Sequence, residues 1–137
     1  MKNKGNLSLP ITYEQLTSGY EFPQARYELG LSVISKYLEA VGEQDPLTAE
    51  FVSPLAVAAY TITAMSDSLI LPAGVIHASQ ELEFIRLVPI GTKIECHSRV
   101  AQKLDRGKTH LLAIEFDVFD QGREKVLSGK ATLLLSD

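Results

Sequence analysis

The run from Ser53 to Val100, SPLAVAAYTITAMSDSLILPAGVIHASQELEFIRLVPIGTKIECHSRV, changes its hydrophobic period once, and that change constrains the fold more than any other feature of the chain. Leu55 to Met65 is apolar nearly all round, with Ala56, Ala58, Ala59 and Ala64 as its small members, so the spacing predicts a helix buried on every side. Ser53 suits its N-cap and Pro54 its first turn, where the missing proline N–H costs no hydrogen bond. Pro72, Ala73 and Gly74 break the chain after it. From Val75 onward the period is two. Ala78, Leu82 and Phe84 alternate with His77, Ser79, Glu81 and Glu83; Ile94, Cys96 and Val100 alternate with Lys93, Glu95, His97 and Arg99. Leu112, Ile114, Phe116 and Val118 share one face of the next run, and Leu127, Ala131, Leu133 and Leu135 share one face of the last. Turn signals fall at Asp105-Arg106-Gly107 and Asp120-Gln121-Gly122. Four strands with one apolar face need one cover, and the helix supplies it. The expected class is α+β, an antiparallel sheet wrapped around one long buried helix.

The flanks carry weaker signals. Residues 1–18 read as a polar, flexible lead-in. Tyr20 to Leu29 is an edge strand at best, because Pro23 interrupts it and cannot donate to a ladder. Ser32 to Val41 has Val33, Ile34, Tyr37, Leu38 and Val41 on one side, the spacing of a helix that Gly42 ends. Gly42 to Val52 is a polar loop. The sheet face away from the helix keeps Leu111, Ala113 and Phe119, which suggests an oligomer.

A chain of 137 residues is expected to be one domain, 1–137, long enough to bury a core. A net charge of −4 with no basic block argues against nucleic acid and anionic membrane surfaces as partners. The apolar run is interrupted by Thr61, Thr63, Ser66, Asp67 and Ser68 and falls short of a membrane span. Met1-Lys2-Asn3-Lys4 is not followed by an apolar signal core, and the single cysteine, Cys96, fits a reducing cytoplasm.

Several side chains have the chemistry for a site. His77 stands early on the strand after the helix, with Gln80 three residues on; each is a candidate hydrogen-bonding group and equally an ordinary strand residue. Asp67 ends the helix, where it is either a carboxylate base or a polar last turn. Glu43 and Asp45 are loop carboxylates beside Pro46, an ordinary turn composition. Tyr60 reads first as core, and Cys96, alternating with inward residues, as an inert thiol. Lys93, Arg99, Lys103, Arg106 and Lys108 are candidates to meet a phosphate, although such residues more often form a solvated face. His97 and His110 lie on separate strands without a Cys or carboxylate partner at ligand spacing, so no metal site is expected.

The words SPLAVAAY, IHASQELEF and VPIGTKIECHSRV, in that order, resemble the MaoC-like hydratases and dehydratases, which have the hotdog fold. The resemblance covers residues 20 to 135. Ile76-His77-Ala78-Ser79-Gln80 and Val88-Pro89-Ile90-Gly91 are similar to the dehydratase-like N-terminal half of that class and to the non-catalytic subunit of hydroxyacyl-carrier-protein dehydratases. The resemblance implies a protein of acyl-CoA or acyl-carrier-protein thioesters, with CoA or phosphopantetheine present only as part of the substrate and no separate cofactor. It also implies a homodimer, or a heterodimer with a catalytic subunit, in which two sheets become one. In that family a loop of the form G-D-x-N-P-x-H precedes the helix, and its aspartate and histidine activate water against an enoyl thioester. Here it falls on Gly42-Glu43-Gln44-Asp45-Pro46-Leu47-Thr48. Glu43 stands for the aspartate, Asp45 for the asparagine and Thr48 for the histidine. Threonine does not shuttle a proton near neutral pH, so the dyad is broken. The remaining carry-over is a thioester carbonyl beside Pro54 at the N–H groups of Leu55 and Ala56, near His77 and Gln80, with Thr48 and Tyr60 beside it. The acyl tail would run along Ala56, Ala59 and Thr63. A thioesterase or divergent dehydratase using Glu43, Asp67 or His77 is the rival, and a non-enzymatic acyl or small-ligand binding module the third possibility.

Overall fold

The computed structural model describes residues 10–32, 35–36, 39 and 51–136. The central helix, Pro54–Asp67, lies against a five-stranded antiparallel sheet. In chain order the strands are β1 Ile11–Thr12, β2 Ala25–Glu28, β3 Phe51–Val52, β4 Leu69–Ile70, β5 Ile76–Phe84, β6 Val88–Pro89, β7 Lys93–Arg106, β8 Thr109–Phe119 and β9 Lys125–Ser136. The large sheet has the order β2-β7-β8-β9-β5, so β2 and β5 are its edges. Two small pairs complete it: β1 runs parallel to β4, and β3 antiparallel to β6. The architecture is the α+β wrap that the change of period predicts. The described positions 31, 32, 35, 36 and 39 are helical, all but position 31 within the segment read as a first helix. No helix among the described residues is long and apolar enough to cross a membrane.

Burial on the helix-facing side follows the alternation on the inner strands. Ile94, Cys96 and Val100, then Leu112, Ile114, Phe116 and Val118, then Leu127, Ala131, Leu133 and Leu135 are all buried. The core has two halves along the helix. Around its start, Ala56, Val57 and Ala58 meet Val52, Val88, Val126 and Leu127; around its end, Met65 and Leu69 meet Tyr13, Leu16, Leu133 and Leu135. Gly129 on β9 allows the Phe116 ring to lie across the sheet. A Cβ there would come within 2.6 Å of that ring and 2.7 Å of the Glu81 carbonyl oxygen.

Several expectations are corrected. The lead-in is structured from residue 11: Tyr13 and Leu16 are in the core, and Ile11 N–H donates to the Ser68 carbonyl at 3.1 Å. Phe51 and Val52 form a strand rather than loop, whereas the edge strand expected within Tyr20 to Leu29 is present after Pro23 as β2, paired with β7. The helix is not buried all round. Ala56, Val57, Ala58, Thr61, Ala64 and Met65 face the core, while Ala59, Thr63 and Ser66 are exposed and Leu55 is 59% exposed. The strand predicted to turn Ala78, Leu82 and Phe84 inward, β5, has no fully buried residue; Ala78 and Phe84 are exposed and Leu82 is half-buried. Among the described residues, this side of the helix and β5 lie uncovered.

The outer sheet face keeps part of the apolar patch expected: Leu111 stands in a cross-strand row with Leu104, Leu134 and Ile76. Ala113 is buried, and Phe119 stands edge-on to His97 at 5.1 Å between ring centroids. Around them runs a network of ion pairs. Arg26 Nε is 2.7 Å from Glu95 Oε2, His97 Nε2 is 2.6 Å from Glu95 Oε1, and Arg99 and Lys125 are each 3.2 Å from Asp117. Other exposed large apolar side chains include Phe84, Ile85 and Leu87 at and beyond the end of β5, and Leu55 on the helix.

Candidate functional site

The helix start has the donor geometry of a small carbonyl site, with one donor fewer than the sequence suggests. Ser53 occupies the N-cap position and Pro54 the first turn, but the serine side chain makes no capping bond. The Ser53 carbonyl accepts from both Ala56 N–H, at 2.9 Å, and Val57 N–H, at 3.2 Å. Ala56 N–H is therefore committed, and Leu55 N–H remains without a partner among the described residues. It lies at the positive end of the helix dipole, where a carbonyl oxygen gains most.

Ala56 is in the core, whereas Ala59 and Thr63 lie on the exposed side of the helix. The channel face proposed for Ala56, Ala59 and Thr63 is thus not a single face. Ala59 and Thr63 remain on it, and the Thr63 hydroxyl is spent on the Ala59 carbonyl at 2.9 Å. Tyr60 is half-buried on the flank toward β2, its ring 5.3 Å from that of Tyr27. Burial pushes the Tyr60 phenol up, and burial together with the neighbouring Cys96 and Asp67 pushes Tyr27 up to about 12. Neither phenol is a proton source near neutrality. Burial likewise pushes the Cys96 thiol up to about 11, and its Sγ lies 3.5 Å from Thr61 Oγ1, so this cysteine is inert.

On β5 the structure shows what the alternation hides. His77 pairs with Leu133 and Ser79 with Thr132, so Ala78 is an extra residue, a β-bulge. Gln80 pairs with Ala131. Leu133 and Ala131 are buried under the helix, so the bulge turns His77 onto the helix-facing side, together with Gln80, Leu82 and Phe84. A regular strand would have aimed it at the outer face, where the sequence reading put it. Nothing in the sequence marks Ala78. A similar irregularity after Val100 turns Lys103 and Asp105 inward, opposite Leu112 and His110.

The structure does not bring all the candidates together. Phe84 pairs with Leu127, which belongs to the core half at the helix start; His77 pairs with Leu133, in the half at the helix end. The strand therefore runs antiparallel to the helix. Within one chain His77 and the first turn lie at opposite ends of a 14-residue helix, about 20 Å at 1.5 Å per residue. The expectation that His77 or Gln80 neighbours Leu55 N–H in the same chain is overturned for His77. Asp67 lies on the Tyr60 side, toward β2, and its charge reaches Tyr27; it is not paired with His77, on the other edge of the sheet. Glu43, Asp45 and Thr48 lie outside the described residues.

A second concavity, of about 530 Å³, opens at the other end of the molecule between Tyr13, Pro72, Lys103, Asp105 and His110. Asp105 Oδ1 accepts from Tyr13 Oη at 2.7 Å and shares a 2.6 Å hydrogen bond with His110 Nδ1. The Tyr13 bond, then that of His110, holds the Asp105 carboxyl below its usual range. Lys103 Nζ donates to the Leu16 carbonyl at 3.0 Å and sits 4.4 Å above the Tyr13 ring. These groups bind one another, and they latch the segment around Tyr13 to the β7–β8 hairpin. Both His97 and His110 thus have the carboxylate partners that spacing did not reveal. Lys103 and Arg99, considered for phosphate, are already engaged.

No family model and no curated protein matches this chain. Solved structures do. The R-hydratase PhaJ1 of Pseudomonas aeruginosa superposes with a TM-score of 0.76 at 20% identity, over 94% of this chain and 86% of the other. A MaoC-like dehydratase from Rhodospirillum rubrum gives 0.71 at 22% identity, over 90% and 94%. The HadBC (3R-hydroxyacyl-ACP dehydratase) complex of Mycobacterium tuberculosis gives 0.67 at 14% identity, over 86% and 96%. The fold of this chain is the hotdog fold, and its structural neighbours are MaoC-like and (R)-hydratase hotdog proteins.

Proposed function

We propose that this chain is a hydratase- or dehydratase-related protein that binds an acyl thioester, as CoA or on a carrier protein, and works as a dimer with a degenerate proton-transfer motif. One observation carries this reading. The side of the helix bearing Leu55, Ala59 and Thr63 is exposed, with an N–H at the helix start that has no partner among the described residues, and β5 is an exposed edge strand. A thioester carbonyl suits that N–H, and an acyl tail suits the small, apolar helix face. The neighbours include a hydratase, a dehydratase and a two-component complex, which supports the chemistry and the need for a hotdog partner. Thr48 and Glu43 in place of the motif histidine and aspartate put standard hydration out of reach.

Calorimetry with acyl-CoA tests the binding. Binding is expected, with Ala59→Phe blocking long acyl chains and leaving short ones. The exposure of Ala59 makes the larger ring compatible with the fold. Absence of binding by the dimer sinks the reading. Crotonyl-CoA hydration by the unmodified protein should be very slow, and Thr48→His with Glu43→Asp should raise it. Robust hydration that survives Glu43→Ala would place the chemistry elsewhere.

The rival is a thioesterase or divergent dehydratase using Glu43, Asp67 or His77, of which Asp67 and His77 lie apart within one chain and would each act alone. Glu43 remains available to it, and hydrolysis of an acyl-CoA by the isolated protein would favour it. A rise in melting temperature with a ligand that is not turned over would favour the pure binding module.

A further inference from the structure

On the face of the sheet turned away from the helix, directly opposed residues fall into rows that cross β7, β8, β9 and β5. One row is apolar: Leu104, Leu111, Leu134 and Ile76. The next is uncharged and mostly small: Gln102, Ala113, Thr132 and Ser79. The third alternates in sign: Arg99, Glu115, Lys130 and Glu81. We infer that this outer face is an interface for a second copy of this chain, packed sheet to sheet with the three rows in register. The inference goes beyond the function proposed above and does not rest on thioester binding.

Three observations carry it. First, the apolar row is continuous and lies outside the core. Ile76 is 60% and Leu104 37% exposed at its ends, with Leu111 and Leu134 half-buried between them. It spans three strand spacings, about 14 Å, a stripe rather than a scatter of single side chains. Second, the charged row is complementary to itself reversed. A two-fold axis along the strands, between β8 and β9, lays β7 of one copy over β5 of the other and β8 over β9. Each row then faces itself in reverse order. Arg99 meets the partner's Glu81, and Glu115 meets the partner's Lys130, so every charge in the row faces its opposite. The order plus, minus, minus, plus would have set like charges together. Third, the same axis sets Leu104 over the partner's Ile76 and Leu111 over the partner's Leu134. The uncharged row between, with Ala113 buried on its floor, is a trough that lets the apolar ridges approach. Sheets packed face to face lie about 10 Å apart with such side chains interdigitated. A patch that complements its own copy is what a two-fold interface requires. The charged row sums to zero, which favours a matching protein face over an anionic lipid surface. This contact turns both helices outward. It leaves the backbone edge of β5 and the Leu55 side of the helix free for a ligand and a further partner.

Cross-linking tests the contact. The axis sets Gln102 over the partner's Ser79, and both residues are exposed in the single chain. Within one chain they stand three strand spacings apart, about 14 Å, beyond the reach of a short bis-maleimide. The natural Cys96 is buried and does not compete. Differently tagged Gln102→Cys and Ser79→Cys chains are mixed, allowed to exchange and treated with that reagent. A covalent dimer joining one chain of each kind is expected. Leu104→Glu, placed in both chains, buries a carboxylate against the partner's Ile76 and should lower the yield of mixed product roughly tenfold or more. Leu104 is exposed, so the fold read by circular dichroism should not change. Absence of the mixed product would overturn the proposal, whether the chains stay monomeric or only Ser79→Cys chains join one another, as pairing along the β5 edge would give. A mixed product undiminished by Leu104→Glu would overturn it as well. So would co-sedimentation of the unmodified chain with phosphatidylcholine vesicles in place of the mixed product, because a lipid surface would then be the occupant.

Discussion

The two edges of the sheet, β2 and β5, differ in almost every respect. β2 has four residues, and two of them, Ala25 and Tyr27, are buried. Its outward Arg26 is tied to Glu95 at 2.7 Å, and the segment before it is stitched to β7 by Phe22 N–H and Val100 N–H, each at 2.8 Å. β5 has nine residues, none of them fully buried, and it carries apolar side chains at both ends. One edge is closed by shortness, charge and a covering segment; the other is long and apolar at both ends, with only its bulge at Ala78 and the charges of Glu81 and Glu83 against pairing. The contrast teaches which edge of the sheet is covered among the described residues and which lies open. The helix repeats it: its core side is filled, while Leu55, Ala59 and Thr63 lie exposed, as they should if a ligand and a partner cover them.

The contrast can be broken at four levels, beginning with the centre from which both edges hang. Phe116→Ala removes the buried ring that lies across Gly129, and a loss of about 3–5 kcal/mol in denaturant unfolding is expected. A loss under about 1 kcal/mol would mean that the centre is not shared. The next test separates the edges. Phe84→Asp should leave the chain folded, because the residue is exposed in the single chain, yet weaken dimerisation by about 2 kcal/mol or more. Arg26→Asp, on β2, should leave dimerisation unchanged in the same sedimentation experiment. Equal effects of the two would end the distinction. Gly129→Ala forces a Cβ against Phe116 and the Glu81 carbonyl, and should cost about 1–3 kcal/mol, seen as a lower melting temperature.

The smallest effect belongs to the closed edge. The hydrogen bond from Arg26, then that from His97, holds the Glu95 carboxyl below its usual value. A carboxylate whose folded pKa is depressed adds stability above its unfolded pKa and loses it as pH falls through the folded one. Glu95→Gln should therefore cost only about 0.2–1 kcal/mol at neutral pH, as befits a partly exposed pair. That difference from the unmodified protein should vanish as the solution is acidified from the ordinary carboxylate range through the lowered folded value. Urea melts of both proteins across that range check it, and a difference that grew on acidification would reverse the assignment.

Much of the fold was legible in the chain because burial on inner strands is a local rule. Leu112, Ile114, Phe116 and Val118 alternate because β8 has strands on both sides and the helix above. The turns at Gly107 and Gly122 announced themselves through residues that suit tight reversals. The candidate site was legible only in part. Ser53-Pro54 marked the helix start correctly, but the commitment of Ala56 N–H to the Ser53 carbonyl depends on how the first turn closes. Gly129 was a signal that went unread: a glycine within an apolar strand often marks a close approach, here of an aromatic ring.

The period of the apolar residues, a property of sequence alone, determined that one helix is covered by an antiparallel sheet. Which faces stay open, which way His77 points and which end of the helix it attends were decided only in three dimensions. A single inserted residue such as Ala78 reverses the side of every residue before it without changing the composition, and only the register against β9 reveals it. The direction of β5 against the helix depends on how eight intervening residues fold back, a long-range outcome that no local pattern encodes.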